Sequence, residues 1–347
     1  MLLANSHTDL GKELIMKKRM YWLDNAKSIG IFLVVLGHLS IPSKLHNYIY
    51  AFHMPLFFFL SGVTFKHKNF ELKEFMLKRA RVLLFPYLVF GIATYLWWLA
   101  IGRNFGSGAS TIMPLYRPLV GMLYSNGIDG WLIHNVPLWF LTCLFITECI
   151  FFSISKTVSK KTLLIIISLI AYFGYLLSST NAPRLPWGIN IVPMSQLFLC
   201  AGYLLKEFAG KNSLGRLPNS MITIATLALT YWLSYKNWGA DMNHNHYGNL
   251  VIYVIAAIAG IIAIISFSKI IPPNSIMSYI GKNTLTILVL HGFVCTLLKG
   301  IFIFLLNFPL SEFNETLLLN LIIAVGSILA LFPVAFFFGK KSTLSYR

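Results

Sequence analysis

His38 falls inside an apolar run, IGIFLVVLGHLSI. An imidazole there must be desolvated or partnered, which makes it a functional candidate on physical grounds alone. Lys27 precedes it by eleven residues. On an α-helix that spacing is about three turns and about 16 Å of rise, so the two side chains share nearly one face. A cation at one end and an imidazole deeper in suit a long ligand with phosphates at one end and a reactive carbon at the other. Coenzyme A has that anatomy, with nucleotide phosphates for the basic rim and a thioester at the tip of the pantetheine arm. The neutral imidazole would then act as general base toward a hydroxyl. His53, in AFHMPLFFFLSG, sits in the next apolar run at comparable depth. It either fixes the tautomer of His38 or packs independently.

Lys78, Arg79 and Arg81 extend the set of cations. Lys78 and Arg81 are three apart and project from one helical face, with Arg79 beside them. Both phosphate binding and contact with anionic lipid fit that pattern. Glu148 lies in the middle of PLWFLTCLFITECIFF, where it must be paired or protonated; orienting a histidine and holding helices together are its candidate roles. His291, in TILVLHGF, is a third histidine in an apolar run, either lining the same cavity or bonding between helices. Asn190 and Gln196 could hold an acceptor sugar or satisfy packing, and Asp24 can pair with Lys27 or the basic rim. His244, Asn245 and His246, with Asp241, form a short tract that a metal could use. No ligand from an apolar run joins them, and no metal is expected. Cys143, Cys149, Cys200 and Cys295 lie in apolar runs without paired or ligating spacing and read as small buried hydrophobes.

The elements that must position these groups are membrane helices. Of 347 residues, 57% are hydrophobic and only 11% charged, with a mean hydropathy of +0.71, whereas soluble domains carry about a quarter charged residues. The fold expected is therefore an all-α integral membrane protein, a polytopic bundle of about ten transmembrane helices. The apolar pattern puts the spans near 21–41, 47–65, 83–101, 137–155, 162–178, 189–207, 218–235, 247–267, 283–304 and 317–338. Helices are required because backbone groups in lipid need internal partners. The net charge of +17 is spread over alternate ends of these runs and forms no single patch, which argues against a nucleic-acid partner. With the amino end cytoplasmic, all but six of the 28 Lys and Arg fall on the cytoplasmic side. The exceptions are Lys44, Arg103, Arg117, Arg184, Lys236 and Lys299. This is the positive-inside bias, and it puts both termini in the cytoplasm.

Four polar stretches complete the division. Residues 1–20 form a cytoplasmic arm with no cleavable signal peptide evident, 21–338 the transmembrane domain, and 339–347 a cytoplasmic tail. Within the domain, 66–82 is basic with interleaved Phe, Leu and Met, and reads as an amphipathic segment on the cytoplasmic face. The outer loop, 102–136, is long enough to cover the bundle mouth as a lid or acceptor-binding loop, and an unspecialised connector fits equally.

Five stretches taken in order resemble the membrane acyltransferase-3 superfamily, in particular its fucose-4-O-acetylase-like branch of sugar O-acetyltransferases. They are LDNAKSIGIFLVVLGH at 23–38, FHMPLFFFLSG at 52–62, FMLKRARVLLFPYL at 75–88, PLWFL at 137–141 and IGKNTLTILVLHG at 280–292. The family pattern has an arginine and a catalytic histidine with ten residues between them. Here Lys27 and His38 match it, with lysine replacing arginine. A pair of arginines separated by two residues corresponds to Lys78 and Arg81. Both departures keep the charge and lose part of the bidentate geometry. The resemblance implies a ten-helix enzyme of the bacterial plasma (inner) membrane that takes cytoplasmic acyl-CoA, commonly acetyl-CoA, and acylates a sugar hydroxyl of a cell-surface polysaccharide or lipid-linked glycan. The donor phosphates would lie near Lys27, Lys78, Arg79 and Arg81. His38 would be the base, with His53 or Glu148 assisting. A transporter or flippase for a lipid-linked sugar or small anionic solute is the rival reading, since it too needs many spans, polar groups and Pro55, Pro137 and Pro193 near span ends.

Overall fold

A computed structural model describes residues 20–66, 70–104, 113–180, 183–210, 214–309 and 311–336. The arm at 1–19 and the tail at 339–347 lie outside the described residues, as do parts of the 66–82 segment and the 102–136 loop. The chain is helical: α1 (Tyr21–Gly37), α2 (Ser43–Tyr50), α3 (His53–Thr64), α4 (Leu72–Ala100), α5 (Tyr116–Tyr124), α6 (Trp139–Thr157), α7 (Lys160–Ser178), α8 (Val192–Gly210), α9 (Arg216–Lys236), α10 (Leu250–Ile270), α11 (Ser275–Lys282), α12 (Thr284–Leu305) and α13 (Leu317–Ala330).

Seven helical stretches among the described residues are long and apolar enough to cross a membrane. They are Leu72–Ala100, Val136–Thr157, Lys160–Ser178, Pro186–Gly210, Leu250–Ile270, Thr284–Leu305 and Leu317–Phe336. The protein is a polytopic integral membrane protein. Its outer faces carry the apolar side chains that lipid requires, as on α7, where Leu164, Ile165, Leu169, Phe173 and Leu177 are exposed. Three expected spans fall outside these seven. α1 has 17 residues, α9 is more polar, and the 47–65 run is broken into α2 and α3.

Prolines account for the breaks that matter. Pro42 has no N–H to give the carbonyl of His38, and α1 stops at Gly37 with His38 as its C-cap. Pro55 does the same to Ala51, so α2 ends and α3 restarts at His53. Both histidines therefore stand at broken helix ends. α4 runs 29 residues, about 44 Å against a hydrocarbon core of about 30 Å. The helical part of the amphipathic segment, Leu72–Arg81, is thus the first turns of that helix, projecting past the bilayer.

Cross-links define two ends of the bundle. At one, Asn25 Nδ2 donates to the carbonyls of Ser268 (3.1 Å) and Ile271 (3.3 Å), and Lys156 Nζ donates to that of Phe70 (3.1 Å). At the other, Asn47 Nδ2 donates to Ser234 O (2.6 Å), Asn243 Nδ2 to Gly127 O (3.0 Å) and Asn320 Nδ2 to Ser40 O (2.8 Å). α1 runs between them, packed by α3, α10, α11, α12 and α13. α3 and α8 cross in backbone contact: a Cβ at Gly62 would collide with the carbonyl of Leu199, and one at Gly202 with that of Phe59.

Candidate active site

At the basic end, Arg79 turns inward from α4 and grips Glu148 of α6. Nε donates to Oε2, and Nη2 donates to Oε1 at 2.8 Å, a two-pronged pair with fork geometry. Ser61 Oγ of α3 also donates to Oε1, at 2.6 Å. The Glu148 side chain is 4% exposed and that of Arg79 is 24% exposed. Glu148 therefore ties three helices together at the basic end, and its hydrogen bonds go to Arg79 and Ser61, with none to a histidine. Lys78 and Arg81 face outward, Lys78 with its Nζ 4.9 Å from the Phe70 ring centroid.

A cavity of about 470 Å³ opens beside this pair. Its walls follow three helices, each leading from a polar residue at the mouth toward a histidine. Lys27 and Ile31 of α1 lead to His38; Thr64, Ser61, Phe57 and Met54 of α3 lead to His53; Thr284, Leu285 and Leu288 of α12 lead to His291. Leu83 from α4 and Phe140, Leu141 and Leu144 from α6 close the remaining side. The passage is polar and cationic where it begins and apolar where it ends. Asp24 accepts from Ser278 Oγ at 3.2 Å, beside this rim.

The three histidines are anchored in the same way. Nδ1 of His38 lies 2.8 Å from Val34 O, Nδ1 of His53 2.9 Å from Ile49 O, and Nδ1 of His291 2.7 Å from Leu288 O. A carbonyl can only accept, so each Nδ1 carries the proton and each Nε2 is left with its lone pair. The rings of His38 and His291 meet edge to face, with centroids 4.9 Å apart. His53 and His291 are buried, and the Nε2 of His291 has no hydrogen-bond partner. His38 keeps accessible surface, at the C-terminal cap of α1 beyond the cavity-lining Lys27 and Ile31.

Past the histidines, the 237–249 loop closes the far end. An antiparallel bridge pairs Asp241 with His246, and Nδ1 of His244 donates to Oδ2 of Asp241 at 2.8 Å. That bond raises the pKa of His244 above its ordinary value, against partial burial. Burial pushes the Asp241 carboxyl up, and the bonds from His244 and the backbone N–H groups of Asn243 and His244 outweigh it, holding the acid below its ordinary value. Among the described residues no group of three or more His, Cys, Asp or Glu is arranged to hold a metal ion.

The remaining candidates sit in packing positions. Asn190 stitches its own loop, accepting from the Leu185 N–H (2.6 Å) and donating to Pro183 O (3.2 Å). Gln196 is buried and donates to Thr147 O at 2.9 Å. The four cysteines are buried and unpaired. Two residues that sequence reasoning passed over belong to the site. Ser61 completes the Glu148 cluster. Tyr50 lies against both His46 (3.9 Å, stacked) and His53 (4.7 Å). Their signal was helical spacing: Tyr50 is four residues from His46, and Ser61 is four from Phe57 on the cavity wall.

The sequence model of one family, described as acyltransferase domain, matches residues 20–339. Neither a curated protein nor a solved structure matches the chain.

Proposed function

The chain belongs to the acyltransferase-3 family of membrane acyltransferases, and from that premise we propose that it is an acyl-CoA-dependent O-acetyltransferase acting on a sugar hydroxyl of a cell-surface polysaccharide or lipid-linked glycan. The observation that carries the reading is the cavity whose mouth holds Lys27 and Arg79 and whose α1, α3 and α12 walls lead toward three histidines, each held through Nδ1 by a backbone carbonyl. Phosphates of the donor suit the cationic mouth, with Lys78 and Arg81 on the adjoining surface, and the pantetheine arm suits the apolar walls. The basic end is then the cytoplasmic one, in a bundle of ten spans with both termini on that side of a bacterial inner membrane.

In the transfer, Nε2 of His38 takes the proton of the acceptor hydroxyl as its oxygen bonds to the thioester carbon. The C–S bond breaks, and the departing thiolate recovers that proton as free coenzyme A. His53 and His291 keep the surroundings of His38 polar without adding charge. Glu148 serves the donor end by holding Arg79 in place.

The test is transfer of label from radiolabelled acetyl-CoA by purified protein in lipid nanodiscs containing total glycolipid from the cells that make it. His38→Ala should abolish transfer while the thermal unfolding midpoint and coenzyme A binding stay close to wild type. Full activity in that variant would overturn the assignment of the base. Movement of a lipid-linked sugar across the bilayer with no acyl transfer by the wild type would favour a transporter.

A further inference from the structure

A second cavity, of about 340 Å³, lies at the end of the bundle opposite Lys27 and is lined by His46, Asn47, Tyr50, Asp241, His244 and His246. The donor's route does not use it. A transferase with two substrates must bring the acceptor to the imidazole by a path that the donor leaves open, and this cavity approaches the histidines from the other side. Tyr50 is the partition. Its ring stacks on His46 and lies 4.7 Å from that of His53, and its hydroxyl donates to the carbonyl of Gly37, at 3.4 Å, the residue before His38.

The chemistry of the walls restricts what fits. Nδ1 of His244 is committed to Asp241, and Nδ1 of His246 to Gly239 O at 2.8 Å, which leaves the Nε2 of each to a ligand. Asp241 is itself held by the backbone N–H groups of Asn243 (2.7 Å) and His244 (3.3 Å), so the carboxylate is fixed in place. No lysine or arginine lines the cavity, so an anionic ligand would find no permanent countercharge. The stacked rings of His46 and Tyr50 offer a flat apolar face of the kind that the C–H side of a sugar ring covers. The volume is at the low end of the range of about 300–1,000 Å³ for small-molecule sites, which suits a single sugar unit better than a chain.

We propose that this cavity is the acceptor subsite, taking one neutral pyranose that hydrogen-bonds through its hydroxyls to Nε2 of His244 and His246, rests its apolar face on the His46–Tyr50 stack, and turns a further hydroxyl toward His53 and His38. The assignment rests on the acyltransferase reading above and adds the class of the acceptor and the residues that select it. The bonds made and broken are those already described.

The experiment uses the full chain in nanodiscs with acetyl-CoA and a panel of octyl hexopyranosides, the glucoside, galactoside and mannoside, beside octyl glucuronide as the anionic counterpart. The wild type should acetylate at least one neutral pyranoside and prefer it to the glucuronide. His246→Ala should raise the KM for that pyranoside about tenfold, the loss of one hydroxyl hydrogen bond, with the KM for acetyl-CoA within about twofold. His244→Ala should act in the same direction, and either variant with His38 intact retains its unfolding midpoint. Three results would overturn the subsite: an unchanged pyranoside KM in both variants, preference for the glucuronide, or consumption of acetyl-CoA with transfer to none of the neutral pyranosides. Absence of both acetyl-CoA hydrolysis and transfer in the wild type would instead overturn the underlying acyltransferase reading, so the two failures are told apart.

Discussion

Arg79 and Glu148 allow a prediction in which the two halves of one ion pair are unequal. Breaking a fully buried pair by deleting one partner costs about 3–5 kcal/mol. Here only the carboxylate is fully buried, at 4% exposure, while the guanidinium is 24% exposed and stands on the cavity wall. Glu148→Ala leaves a cation that cavity water can hydrate, so its cost should be about 1–2 kcal/mol, near that of a partly screened pair. Arg79→Ala leaves a carboxylate whose remaining hydrogen bond is from Ser61, and about 3–4 kcal/mol is expected. The double replacement Arg79→Met with Glu148→Leu removes both charges and should return to within about 1 kcal/mol of wild type, because an apolar pair avoids the desolvation of two ions. Equilibrium unfolding in mixed micelles with increasing SDS reads all three. Equal losses in the two single variants, or a double variant worse than their sum, would refute the argument. The same proteins also test the role of Glu148. The pH profile of acetyl transfer should keep its shape in Glu148→Gln, and a displaced profile would mean that the carboxylate acts on a histidine after all.

Two further predictions follow from packing and from charge. Gly202→Ala and Gly62→Ala should each cost about 1–3 kcal/mol in the same unfolding assay, because the added methyl meets backbone carbonyls at the α3–α8 crossing; Gly292→Ala, which meets nothing within 4 Å, should be neutral or stabilising by up to about 1 kcal/mol. In the 237–249 loop, the raised pKa of His244 gives a stabilisation that is full below the unfolded value of about 6.5 and lost as pH rises through the folded one. The lowered Asp241 gives one that is present above about 3.9 and lost as pH falls through its folded value. The loop should therefore be best protected between about pH 4 and 6.5. The effect is small, because the His244 side chain is 59% exposed. Backbone hydrogen exchange of the loop, corrected for intrinsic rates, should show more protection at pH 6 than at pH 8, and His244→Ala should remove the difference.

The membrane class was legible in composition, and the family in five short stretches, because both are written in residue types. The eleven-residue spacing sets Lys27 and His38 along one helix without any tertiary information; Lys27 and Ile31 line the cavity, and His38 stands beyond them as the cap of α1. What stayed hidden depended on which way a side chain turned. Among three neighbouring cations the sequence favoured Lys78 and Arg81 by their spacing; the fold turns Arg79 inward, since Glu148 on α6 faces that side of α4. Glu148 in turn could be seen to need a partner, and a cation two helices away was beyond what periodicity shows. The break at Ala51–Phe52 was foreshadowed by Pro55, yet the surrounding apolar run reads as one continuous span.

The common anchoring of the three histidines has a consequence for how the reaction can proceed. A base in a low-dielectric bundle usually needs a carboxylate to orient it and to stabilise its charged form. His38 and His291 use carbonyls of their own helices instead, and His53 one from the last turn of α2, three or four residues back, which orient the ring and add no charge. The prolines make this possible for His38 and His53, because each stands at a helix end where its ring can turn beside the last turn of backbone. The imidazole so held is a good acceptor and a poor resting place for a positive charge, since neither neighbouring histidine can compensate it. A proton taken by His38 is thus driven onward to the leaving thiolate within the same encounter. That favours both substrates being bound together, donor from the basic end and acceptor from the other, over a lasting acyl-imidazole between two separate visits.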